Sequence, residues 1–63
     1  MKLKETIAIE VLNNGNIWMR VEIGVLNSPQ AIARALTNTK TRYPKNRIRA
    51  VGQNTGSLYD MVI

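Results

Sequence analysis

The chain reads as an α+β domain: a single β-β-α-β-β unit with a four-stranded antiparallel sheet and one helix packed on one face. Three observations lead there. Two stretches of alternating apolar residues flank an Asn-Gly turn, a capped amphipathic segment follows, and two more short apolar runs close the chain around a Gly-containing turn. Residues 1–63 are taken as one small domain, with no internal repeat, linker or low-complexity segment.

In residues 3–12, Leu3, Ile7, Ile9 and Val11 share one face, with Lys4, Thr6, Ala8 and Glu10 on the other. Glu5 interrupts the apolar face near its end. Residues 17–25 alternate more cleanly, with Ile17, Met19, Val21, Ile23 and Val25 opposite Trp18, Arg20 and Glu22. Period two with β-branched residues predicts two half-buried strands.

The link Asn13-Asn14-Gly15-Asn16 contains an Asn-Gly pair, the usual two-residue hairpin signal. A two-residue loop would set Val11 against Trp18 and point the apolar faces opposite ways. A three-residue loop, Asn13-Asn14-Gly15, sets Val11 beside Ile17, Ile9 beside Met19 and Ile7 beside Val21. Since a one-residue slip flips every side chain, the apolar pattern selects the second register. It expects a type I turn with Gly15 in the left-handed position.

Ser28 is a good N-cap and Pro29 suits the first helical position, where its missing N–H costs nothing. Ile32, Ala35, Leu36, Thr39 and Tyr43 then fall in one stripe, opposite Gln30, Arg34, Thr37 and Thr41. Thr37, Asn38, Thr39 and Thr41 are weak helix formers and Pro44 disfavours helical geometry at Tyr43, so the helix is expected to end around residues 40–42.

Arg47 to Val51 and Leu58 to Ile63 are the remaining strands, with turn residues Gly52 to Ser57 between them. A four-residue loop, Gln53 to Gly56, pairs Ala50 with Tyr59, Ile48 with Met61 and Arg49 with Asp60. A shorter loop would set Asp60 beside Ala50 on the core side, where an unpaired carboxylate is costly. The expected strand order is 2-1-3-4 with a right-handed crossover.

A chain of 63 residues buries only about 60% of its unfolded surface, so its stability margin is thin. It has no Cys and no His, which argues against disulfides and against a zinc site. No run approaches the ~20 apolar residues of a membrane span, and the alternating start lacks the apolar block of a signal peptide. A cytoplasmic protein without cofactor or metal is the expectation. Catalysis finds little support, because the four acids are scattered and Ser28 is better explained as a cap than as a nucleophile.

The net charge of +5 is unevenly placed. Residues 1–33 balance Lys2, Lys4 and Arg20 against Glu5, Glu10 and Glu22. Residues 34–63 set Arg34, Lys40, Arg42, Lys45, Arg47 and Arg49 against Asp60 alone. A cluster of cations gains affinity for phosphates by releasing condensed counterions, so Lys40, Arg42, Lys45, Arg47 and Arg49 are candidate contacts. Arg20 and Trp18 are added because alternation puts them on the sheet face away from the helix, where an aromatic ring beside arginine suits base stacking. A solvated basic face, offsetting the helix C-terminal dipole, explains the same charges without a ligand. Trp18 would equally serve a protein contact with Val51, Leu58 and Val62. Tyr43 and Tyr59 are read as core.

The order from Ile17 to Val51 (hairpin strand, helix, Tyr43-Pro44 turn, returning basic strand) resembles very small phage-encoded proteins, among them inhibitors of bacterial RNA polymerase. The resemblance lies in element order and not in a motif, and it carries no residues over. It implies a short viral or mobile-element protein that binds a host component.

Two functions therefore stand as expectations. One is a small non-enzymatic module binding nucleic acid through phosphates, with little sequence specificity. The alternative is a protein-interaction module that binds and inhibits a host protein. A homodimer through the open sheet face is compatible with either.

Overall fold

A computed structural model describes residues 5–62, and its elements follow the expected order. β1 is Ile7–Leu12, β2 Trp18–Val25, α1 Pro29–Arg42, β3 Ile48–Gly52 and β4 Leu58–Val62. They form one antiparallel sheet in the order β2-β1-β3-β4, with α1 on one face. The expected strand beginning at residue 3 falls partly outside the described residues, as do Lys2, Lys4 and Ile63.

The helix starts where its capping signal lies. Ser28 is extended, and its hydroxyl accepts from the Ala31 N–H at 3.2 Å. Pro29 opens the helix. The buried stripe is Ile32, Ala35, Leu36 and Thr39, with Tyr43 packed at its end. Thr39 is buried because its hydroxyl donates back to the Ala35 carbonyl at 2.8 Å, which removes the cost of an unpaired group. Tyr43 ends the helix, and Lys40 Nζ donates to the Asn46 carbonyl at 3.0 Å in the turn beyond. The Asn46 amide in turn donates to the Leu12 carbonyl at 2.9 Å, tying that turn to the end of β1. Against the helix lie Ile7, Ile9, Val11, Val25, Ile48 and Ala50.

The registers correct several expectations. In the first hairpin, Val11 lies opposite Met19 and Leu12 opposite Trp18, a two-residue displacement from the expected pairing. Asn13 and not Gly15 decides it. The Asn13 side chain accepts from the N–H groups of Gly15 and Ile17, and Asn13 pairs by backbone with Ile17. The loop is then Asn14-Gly15-Asn16, and Asn16 takes the left-handed position at φ 60°. Asparagine is among the few residues that tolerate it.

Farther along β2 the register shifts twice, and Glu22 comes opposite Ile9 instead of sharing the Arg20 face. Gly24, at φ 74°, accommodates the bend. Ile17, Met19 and Ile23, expected in the core, are exposed; Ile17 and Met19 are not part of the cluster packed with the helix, and the register shifts put Ile23 out of phase.

In the second hairpin the four-residue loop is as expected, since Gly52 N–H bonds to the Ser57 carbonyl. A bulge between Ala50 and Val51 then changes the phase. Asp60 comes opposite Ala50 on the helix side and Met61 opposite Arg49. The carboxylate avoids the expected penalty because β4 is an edge strand and Asp60 remains exposed. Tyr59 is likewise 43% exposed and not core.

Candidate functional site

Parity within β1, β2 and β3 places Trp18, Arg20, Ala8, Glu10, Arg49 and Val51 on the sheet face away from α1. Glu10 is the centre of that face. It sits opposite Arg20 on one neighbour and Arg49 on the other. Its Oε2 accepts from Arg20 Nε and Nη2, both at 3.2 Å, and its Oε1 accepts from Arg49 Nε at 2.8 Å, with Arg49 Nη2 2.7 Å away in the same ion pair. Two forked donors on one carboxylate explain how a charged residue can be 7% exposed on an uncovered sheet.

The Arg49 guanidinium also lies over the Trp18 ring, 4.1 Å from its centroid. That is close cation–π geometry. It half-buries the indole that alternation had left open to water. Arg20 reaches on to the Gln53 carbonyl at 3.4 Å, a path that crosses β1 above Ala8. Ala8 and Val51, which face away from the helix, are 0% and 2% exposed. The face thus carries a small core of its own, roofed by arginine stems.

The candidate residues do not form one patch. Trp18, Arg20 and Arg49 come together, and Arg47 continues the same strand, its carbonyl bonded to the Leu12 N–H at the Trp18 end. Arg42 and Lys45 lie at the helix end and in the turn, with Arg42 5.8 Å from the Tyr43 ring centroid. Lys40 separates from them. It lines a groove on the helix side with Ala33, Leu36, Thr37, Thr41, Asp60 and Val62. The expected Arg49–Asp60 pairing does not form, because the bulge carries Asp60 to the other face. Among the described residues, the only ion pairs are the two on Glu10, so Arg42, Lys45 and Arg47 have no carboxylate partner there.

Two residues with structural weight were not singled out from the sequence. Glu10 was legible only as an acid in reach of Arg20. Glu5 was read as a break in the pattern, but its carboxylate gathers the β3–β4 loop. It accepts from the Thr55 hydroxyl at 2.7 Å, from the Thr55 and Asn54 N–H groups at 3.1 Å, and from the Tyr59 hydroxyl at 3.0 Å. The Thr55 hydroxyl foremost, with these other donors, holds Glu5 below the usual carboxylate range against the partial loss of hydration.

No group of metal-ligating side chains occurs among the described residues, and no described helix is long and apolar enough to cross a membrane. Fold and site together define a small α+β domain with one open, arginine-rich sheet face. No protein-family model, curated protein or solved structure matches the chain.

Proposed function

We propose that this protein is a non-enzymatic module that binds nucleic acid through its phosphates, with little sequence specificity. The observation that supports this reading is the Arg49 guanidinium laid over Trp18 on an uncovered sheet face, with Arg47 immediately before β3. In this reading Arg47, Lys45 and Arg42 contact phosphates, because no described carboxylate neutralises them. Arg49 and Trp18 form a planar platform against which a base stacks. Glu10 holds the platform in place and subtracts one charge from it.

The test is fluorescence anisotropy of a labelled single-stranded oligonucleotide at two salt concentrations. Three phosphate contacts on a single strand predict an affinity loss of about 20-fold between roughly 50 and 200 mM salt. Changing Lys45→Glu together with Arg47→Glu should abolish binding with the fold intact by circular dichroism. Affinity indifferent to salt, or to that double substitution, overturns the reading. A protein-interaction role is favoured by a separate observation, the exposed apolar residues of the edge strand β4.

A further inference from the structure

We infer that β4 is a self-association edge: two copies pair β4 with β4 antiparallel about a two-fold axis, and Asp60 of each copy passes from its own Met61 N–H to Lys40 of the other. The sheet has two edges, and they are built differently. β2 carries two register shifts and the left-handed Gly24, whose N–H is already used by the Gln53 side chain at 3.0 Å. Bends of this kind blunt an edge against strand addition.

β4 lacks most of these protections. It has no Lys, Arg or Pro, and its bulge lies near its start. Leu58, Tyr59 and Met61 are 58%, 43% and 39% exposed. Its remaining guard is local: Asp60 Oδ1 accepts the Met61 N–H at 2.8 Å. That bond sits in water at the sheet edge, so exchanging it for another partner costs little.

Charge indicates what takes its place. Asp60 and Lys40 line the same groove, of about 470 Å³, between α1 and β4, yet they form no ion pair within one copy. Lys40 donates to the Asn46 carbonyl and has further N–H donors to offer. A two-fold contact is reciprocal, so one Asp60–Lys40 approach between copies implies its mate.

Like charges then select the register. Asp60 opposite Asp60 of the second copy is unfavourable, whereas Met61 opposite Met61 sets Asp60 across from Val62 and brings the Leu58 and Met61 side chains of both copies onto one face. The pair would carry both helices on one side and join the two open faces on the other. In this register three described residues a side, Asp60, Met61 and Val62, pair within β4, a small contact, so the dimer is weak and concentration-dependent.

Sedimentation equilibrium on nucleic-acid-free protein, from about 10 μM to 1 mM at low salt, tests this over the range of a weak interface. The wild type should shift from monomer to dimer across that range. Asp60→Lys should remain monomeric, and adding Lys40→Glu to it should restore the dimer. Met61→Pro removes the edge donor at a strand position that tolerates proline, and it should also be monomeric. Circular dichroism of each variant verifies the fold. A wild type that stays monomeric throughout overturns the inference and leaves the edge to a strand from another protein. A dimer that Asp60→Lys and Met61→Pro leave unchanged also overturns it, placing the contact on another surface such as the open face.

Discussion

Glu10→Gln separates the structural role of the arginine cluster from its proposed role in binding. Glutamine keeps the size of the side chain, so no cavity opens, but it removes the charge that accepts from both guanidinium groups. A hydrogen bond to a charged group contributes about 1.5–3 kcal/mol, and breaking a fully buried pair costs about 3–5 kcal/mol. Here the Glu10 side chain is 10% exposed while Arg20 and Arg49 are 40% and 30% exposed, so both arginines regain water when released. Discounting for that screening leaves about 2 kcal/mol. In a domain of this size that lowers the melting temperature by on the order of 10 °C. Urea denaturation followed by far-UV circular dichroism measures the stability directly. The same substitution frees positive charge on the open face, so oligonucleotide affinity should rise with a salt slope steeper by about 0.7. A stability loss below about 0.5 kcal/mol would show that Glu10 is not the hub described, since a surface ion pair alone reaches that size. Lower stability without higher affinity would refute the placement of nucleic acid on this face.

Four further substitutions probe local features. Ser28→Ala removes the cap on α1 and should cost about 1 kcal/mol in the same urea assay. Asn16→Gly relieves a non-glycine residue at φ 60° and, net of the added freedom of the unfolded chain, should raise stability by less than about 1 kcal/mol in the same assay. Glu5 has its folded-state pKa depressed, so its contribution is present above the unfolded carboxylate value and lost as pH falls through the lower folded value. Urea midpoints measured from neutral to acid pH should therefore fall in that window, and Glu5→Gln should flatten the fall. Gly52→Ala should act on the same limb, because a Cβ there meets the Glu5 carboxylate and displaces it from the loop.

Much of the architecture was legible because side-chain parity is a robust signal. A two-residue displacement of the first hairpin left every residue near the turn on its expected face, so Trp18 and Arg20 were placed correctly despite the wrong partners. Bulges destroy that protection, since one inserted residue inverts the face of everything beyond it. Asp60, Tyr59 and Glu22 were misplaced for this one reason, and only Gly24 gave any sign of a bend in advance. Asn13 misled differently: its side chain satisfies two loop N–H groups and thereby outweighs the preference for glycine in the left-handed position. Glu10 could not be recognised as a hub from one hairpin, because its second arginine arrives only when β3 pairs with β1.

That last point bears on how so short a chain keeps one sheet face open. A single helix covers only one side, and the other side holds Ala8 and Val51, which need shelter from water. Arg20, Arg49 and Trp18 supply it while leaving charge at the surface, and Glu10 fixes them where they lie. Arg49, which stacks on Trp18 in the proposed site, is thus also one of the residues that roof the second core. Stability and affinity pull against each other at Glu10, which is why one substitution there should move them in opposite directions.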